Sequence, residues 1–224
     1  MDSAIEFYSS SANRKISDDV AVQMCQTHSE YIDSAMEAFL RVGMEKHELK
    51  SQKEKIERSK GLTVYSHGQK IIIIDMSKAP SQSEQDRIIF HELGHAGTAD
   101  MFKTCFVSSN DFKEHAGYSL LKEFLACYDS NICMKTKYGS LSDDIYEDCV
   151  NFFMDAKANF MFSYVESRAT ALGECLSVMI IFFEEKLLKD NRLNGKKIKK
   201  TAISYAKKSK ITVSDCRQII DMLF

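Results

Sequence analysis

The chain has 224 residues, long enough for one good core or for a catalytic domain with a helical annex. Its 30 Lys and Arg nearly balance 32 Asp and Glu, and a net charge of -2 gives no sign of a polyanionic partner. No Trp, one Pro and nine Gly point to a helix-rich chain with few tight turns.

The seven cysteines are odd in number and include no Cys-x-x-Cys pair. That pattern suits reduced, mostly buried thiols in a cytosol better than a disulfide framework. The start Met1-Asp2-Ser3 has neither a basic segment nor a sustained apolar run, so no secretory signal is read there. The longest strongly apolar run, Leu176 to Phe183 broken by Ser177, is too short to span a bilayer. A cytoplasmic protein with no membrane partner is expected.

Along the chain, residues 1–16 carry Ser9-Ser10-Ser11 and little periodicity, and read as a loose start. Ser17-Asp18-Asp19 is a candidate N-cap for a helix from about Val20. The apolar positions Val22, Cys25, Ile32, Met36, Phe39 and Leu40 follow helical spacing. Gly43 marks a break, and Glu45 to Lys60 reads as a charged, solvated helix. Leu62–Ser66 and Lys70–Met76 predict two strands around the turn His67-Gly68-Gln69. The isoleucines of the second suit a strand covered on both faces. If that strand had an open edge, an extended peptide could add to it. Ala79-Pro80 then punctuates the chain, and Ser81 with Glu84 predicts a capping box.

The next helix carries His91-Glu92-Leu93-Gly94-His95. Residues four apart lie on one helical face, so His91 and His95 can bind one ion together, and with Glu92 they stand where a catalytic zinc ion needs two imidazoles and a carboxylate. Glu92 beside them is the candidate base, accepting a proton from an activated water. A catalytic zinc takes a third protein ligand. Glu123, on a predicted helix over about Tyr118–Met134, is the first candidate. Glu114 and His115, in an expected loop, compete with it. The apolar neighbours of Glu123 would bury that helix against the histidine helix, and Ala126 is small enough to allow the close approach. Tyr65, His67, His115, Tyr118 and Tyr128 are all candidate oxyanion donors, and spacing does not choose among them.

Beyond Ser142 the pattern predicts helices over Asp143–Phe160 and about Ser163–Asp190, a turn at Asn191–Gly195, and helices near Lys197–Lys208 and Ser214–Leu223. Lys189, Arg192, Lys196, Lys197, Lys199, Lys200, Lys207, Lys208 and Lys210 form a basic tract there. A solvated face is the better account of it than a nucleic-acid surface. The last helix offers only Arg217 and Gln218 as base readers.

The order of β-hairpin, Arg87-Ile88-Ile89-Phe90-His91-Glu92-Leu93-Gly94-His95 and then Glu123-Phe124-Leu125-Ala126 resembles the ImmA/IrrE family of zinc metallopeptidases. The resemblance covers residues 62–129, and more weakly 200–223, where the tail is similar to a helix-turn-helix-like end. It implies His91, His95 and Glu123 as zinc ligands, Glu92 as catalytic base, and a regulatory protein as substrate.

The resulting expectation is a single domain over 1–224, α+β and mainly helical. N-terminal helices occupy 17–60, and a catalytic core over 61–135 has a small β-hairpin sheet packed on a zincin-type helix. A helical region fills 142–224. The expected activity is zinc-dependent endopeptidase cleavage of a specific protein. The alternatives are an effector protease exported by a specialised secretion system into a host cytosol, and a DNA-binding or regulatory module with a sensory metal site.

Overall fold

The run Ile71–Ile74 lies in the middle strand of a three-stranded sheet, where β-branched side chains can be covered on both faces. A computed structural model describes residues 1–16, 20–66, 69–108, 110–159 and 166–223. The architecture is α+β and mainly helical, in two compact units, Met1–Gly97 and Thr98–Phe224.

The first unit runs α1 (Asp2–Ala12), β1 (Val20–Cys25), α2 (His28–Arg41), α3 (Lys46–Arg58), β2 (Gly61–Ser66), β3 (Gln69–Asp75) and α4 (Gln82–Thr98). The sheet order is β1-β3-β2, with β1 parallel and β2 antiparallel to β3. Alternation along the strands divides the side chains between the two faces. Leu62, Val64, Ile71 and Ile73 join Cys25, Tyr31, Ala35, Ala38 and Ile56 in one apolar core. Gly61, Thr63 and Tyr65, opposite Ile74, Ile72 and Lys70, occupy the other face, which α4 covers.

Three expectations change here. Residues 2–12 form a helix whose Tyr8 is fully buried, and Phe7 stacks on Phe90 of α4 at 5.5 Å. Val20–Cys25 is a strand, and the helix expected from Val20 starts at His28, capped by Thr27. Finally, β3 is paired on both sides, so it offers no edge to a peptide. The proposed cap Ser17-Asp18-Asp19 and the turn residues His67-Gly68 lie outside the described residues.

The second unit runs α5 (Phe112–Tyr138), α6 (Asp143–Asn159), α7 (Glu166–Phe182), α8 (Glu184–Lys189), α9 (Gly195–Ala206) and α10 (Val213–Leu223). Leu120, Leu121, Phe124 and Leu125 of α5 share its core with Leu172, Leu176 and Met179 of α7 and Cys216, Ile219 and Ile220 of α10. Two glycines set these helix approaches. A Cβ on Gly117 would stand 1.8 Å from the Cys216 carbonyl oxygen, and one on Gly173 would stand 2.7 Å from the backbone of Leu120 and Phe124.

α5 begins earlier than expected because the Asp111 carboxylate accepts from the Glu114 N–H at 3.0 Å and caps the helix. The single helix expected to reach Asp190 breaks at Phe183, whose backbone leaves the helical region (φ -124°) while its ring is buried beside Tyr146. The expected start at Ser163 lies outside the described residues. Six of the seven cysteines are buried and Cys175 is half-buried. Among the described residues no helix is long and apolar enough to cross a membrane.

Candidate metal site

α4 starts on the capping box that the sequence predicts. The Ser81 hydroxyl accepts from the Glu84 N–H at 3.3 Å, and the Glu84 carboxylate accepts from the Ser81 N–H at 3.2 Å. Buried Ile88, Ile89, Phe90, Leu93 and Ala96 anchor the helix. One turn apart on it, His91 and His95 bring their Nε2 atoms to 3.1 Å, with the rings perpendicular. Both imidazoles are half-buried.

That separation decides what the pair can do. Two nitrogens bound about 2.0–2.1 Å from one tetrahedral ion stand roughly 3.3 Å apart. The imidazoles therefore hold nearly the spacing that a shared ion requires. The distance also allows an N–H···N hydrogen bond, one ring donating and the other accepting.

Glu92, one position round the helix, turns towards the sheet and is 5 % exposed. Its Oε2 accepts from the Thr63 hydroxyl at 2.6 Å, and the same hydroxyl lies 3.2 Å from the Glu92 carbonyl oxygen. Its other carboxylate oxygen lies over Gly61, where a Cβ would come within 2.6 Å. Gly61 and Thr63 were not singled out by sequence reasoning. Strand alternation and the distance back from Glu92 were the available signals, but neither gives the pairing of β2 with α4.

Tyr65 donates its hydroxyl to the His95 carbonyl at 2.8 Å, so this candidate oxyanion donor ties down the end of the histidine turn. Beyond it, a Cβ on Gly97 would stand 2.8 Å from the Tyr8 hydroxyl, so α1 lies close against the last turn of α4. His67 is outside the described residues.

In the second unit, Glu123 is half-buried on α5 and accepts from the Cys127 thiol at 3.4 Å. Its Cβ would lie 3.1 Å from a Cβ on Gly173. The rival ligand Glu114 is otherwise engaged. It is buried in the first turn of α5, its Oε1 2.6 Å from the Arg217 guanidinium and its Oε2 accepting from the Ser108 N–H at 2.9 Å. His115 follows it in the same turn, not in a loop. Tyr118 meets Phe102 edge-on, and burial raises its phenol pKa; Tyr128 packs on Phe124. Among the described residues, His91 and His95 of the first unit and Glu123 of the second each offer a ligand atom suited to a metal ion.

The basic tract is partly neutralised. Lys199 pairs with Glu184, Lys208 with Asp215, and Arg192 with Asp190 and Glu147. Arg217, the expected base reader, is held by Asp111 and Glu114, and Ile219, Ile220 and Leu223 of the same helix are buried.

Compared with known proteins, the chain matches no family model, no curated protein and no solved structure.

Proposed function

We propose that this chain is a zinc-dependent endopeptidase, with His91, His95 and Glu123 as metal ligands and Glu92 as general base. The observation that carries the reading is the 3.1 Å approach of the two Nε2 atoms on a helix that also carries a buried carboxylate beside them. Two imidazoles and one carboxylate are a donor set that suits a catalytic zinc. The resemblance to ImmA/IrrE metallopeptidases points the same way and suggests a selected protein as substrate.

When bound, the ion would lower the pKa of a water and polarise a substrate carbonyl. The protein's own groups supply the rest. His91 and His95 present their ring nitrogens from one helical face, and the Tyr65 bond to the His95 carbonyl holds that turn in place. Glu92 takes the proton from the attacking water and later delivers it to the departing amine, so one carboxylate serves both halves of the hydrolysis.

Purified protein loaded with Zn²⁺ and desalted is expected to retain one equivalent by elemental analysis and, added to a cell lysate, to produce new N-termini at a small set of sites. Glu92→Gln should keep the metal and lose turnover by at least about a hundredfold. His91→Ala, His95→Ala and Glu123→Ala should lose both. Failure of the wild type to retain zinc, or undiminished cleavage by Glu92→Gln, would overturn the reading.

A further inference from the structure

We infer that Thr63 and Gly61 of β2 form a cradle that positions the Glu92 carboxylate for proton transfer, with Thr63 as its hydrogen-bonding arm. The inference rests on the proposal that Glu92 is the general base, and it names positioning residues on a strand that the helical motif does not contain.

The geometry is specific. Gly61 and Thr63 are two apart, so both point to the α4 face of the sheet. The Thr63 hydroxyl reaches Glu92 Oε2 at 2.6 Å, within the short range of hydrogen bonds to ionised oxygens. A carboxylate that is 5 % exposed needs such a donor, because burial without one is costly.

Gly61 supplies the room. A Cβ there would meet Oε1 at 2.6 Å, Cγ at 2.7 Å and Cδ at 2.9 Å, so any other residue would push the whole carboxylate aside. One neighbour thus pulls on the side chain and the other leaves space for it. Together they confine a group that would otherwise sample several rotamers. A base held in one place loses less rate to misplacement than a mobile one.

Thr63→Val removes the hydroxyl and keeps the shape, and Thr63→Ser keeps the hydroxyl. Gly61→Ala leaves the hydroxyl and fills the space. With a peptide spanning a cleavage site mapped in the lysate as probe, Thr63→Val and Gly61→Ala should each lower kcat about tenfold or more, with KM and bound zinc unchanged. Thr63→Ser should recover kcat to within about twofold. Crystal structures of Thr63→Val and Gly61→Ala, which need no substrate, should show the Glu92 carboxylate displaced from β2. A carboxylate that stays in place in Thr63→Val overturns the inference, as does wild-type kcat in that variant. Full activity of Glu92→Gln is a different outcome. It removes the base assignment itself, and with it the role given to the cradle.

Discussion

Gly173 stands where α7 runs against α5, and the atoms nearest to it are backbone: the Leu120 carbonyl oxygen and the Phe124 nitrogen, each 2.7 Å from an added Cβ. Backbone within a helix cannot rotate away as a side-chain tip can, so Gly173→Ala must push the helices apart. The expected cost is about 1–3 kcal/mol in urea unfolding, typical of overpacking. The Glu123 Cβ, 3.1 Å from the same added atom, would move with α5. Gly117→Ala is expected to be worse, since its Cβ would lie 1.8 Å from the Cys216 carbonyl. In the sequence both glycines look like mere weak points within helical patterns, each costing roughly 1 kcal/mol against alanine. Their use is set by α7 and α10, which approach from far along the chain. Ala126, the small residue that the sequence offers for close helix approach, is fully buried.

At the scale of elements, the helices that carry their own start signals were the legible ones. α4 is the clearest, because Ser81 and Glu84 satisfy each other's N–H groups across one exposed turn. Ser81→Ala should cost about 1 kcal/mol and speed hydrogen exchange at the first turn of α4. Equal exchange rates in wild type and Ser81→Ala would show that the cap does not hold this helix. The hairpin of β2 and β3 was legible for a similar reason: alternation and β-branching are local. β1 was not, because Val22 and Cys25 also fit the helical spacing that α2 continues, and only pairing with Lys70–Asp75 makes Val20–Cys25 a strand. α1 hid behind three serines, its folding reason being the burial of Tyr8. That Glu114 is engaged was not legible, since Arg217, which pairs with it, lies more than a hundred residues further along the chain.

Across the whole molecule, buried carboxylates link stability to acid. Burial works to raise the Asp75 pKa, but donation from Ser77 and the contact with His28 at 2.6 Å outweigh it, and the pKa is lowered. Asp215 behaves alike: burial raises, Lys208 and Thr212 lower, and the net shift is downward. Asp190 moves furthest, pulled down to about 2 chiefly by hydrogen bonds from Arg192, with the Tyr146 hydroxyl adding another at 3.0 Å. The sign follows from which state binds protons first. An unfolded Asp titrates near 3.8, above its folded value, so the unfolded chain takes up the proton earlier as pH falls. The contribution of these groups is therefore intact above the unfolded value and is lost as pH drops through the folded one. Urea unfolding followed by circular dichroism should give a stability that is level near neutrality and declines between about pH 4 and 2. Asp190→Asn removes the most displaced of the three. Its stability should start lower at pH 7 and fall less steeply over the acid range, so that the two curves converge towards pH 2. Parallel curves would mean that the Arg192 contacts do not bias proton binding in the folded chain.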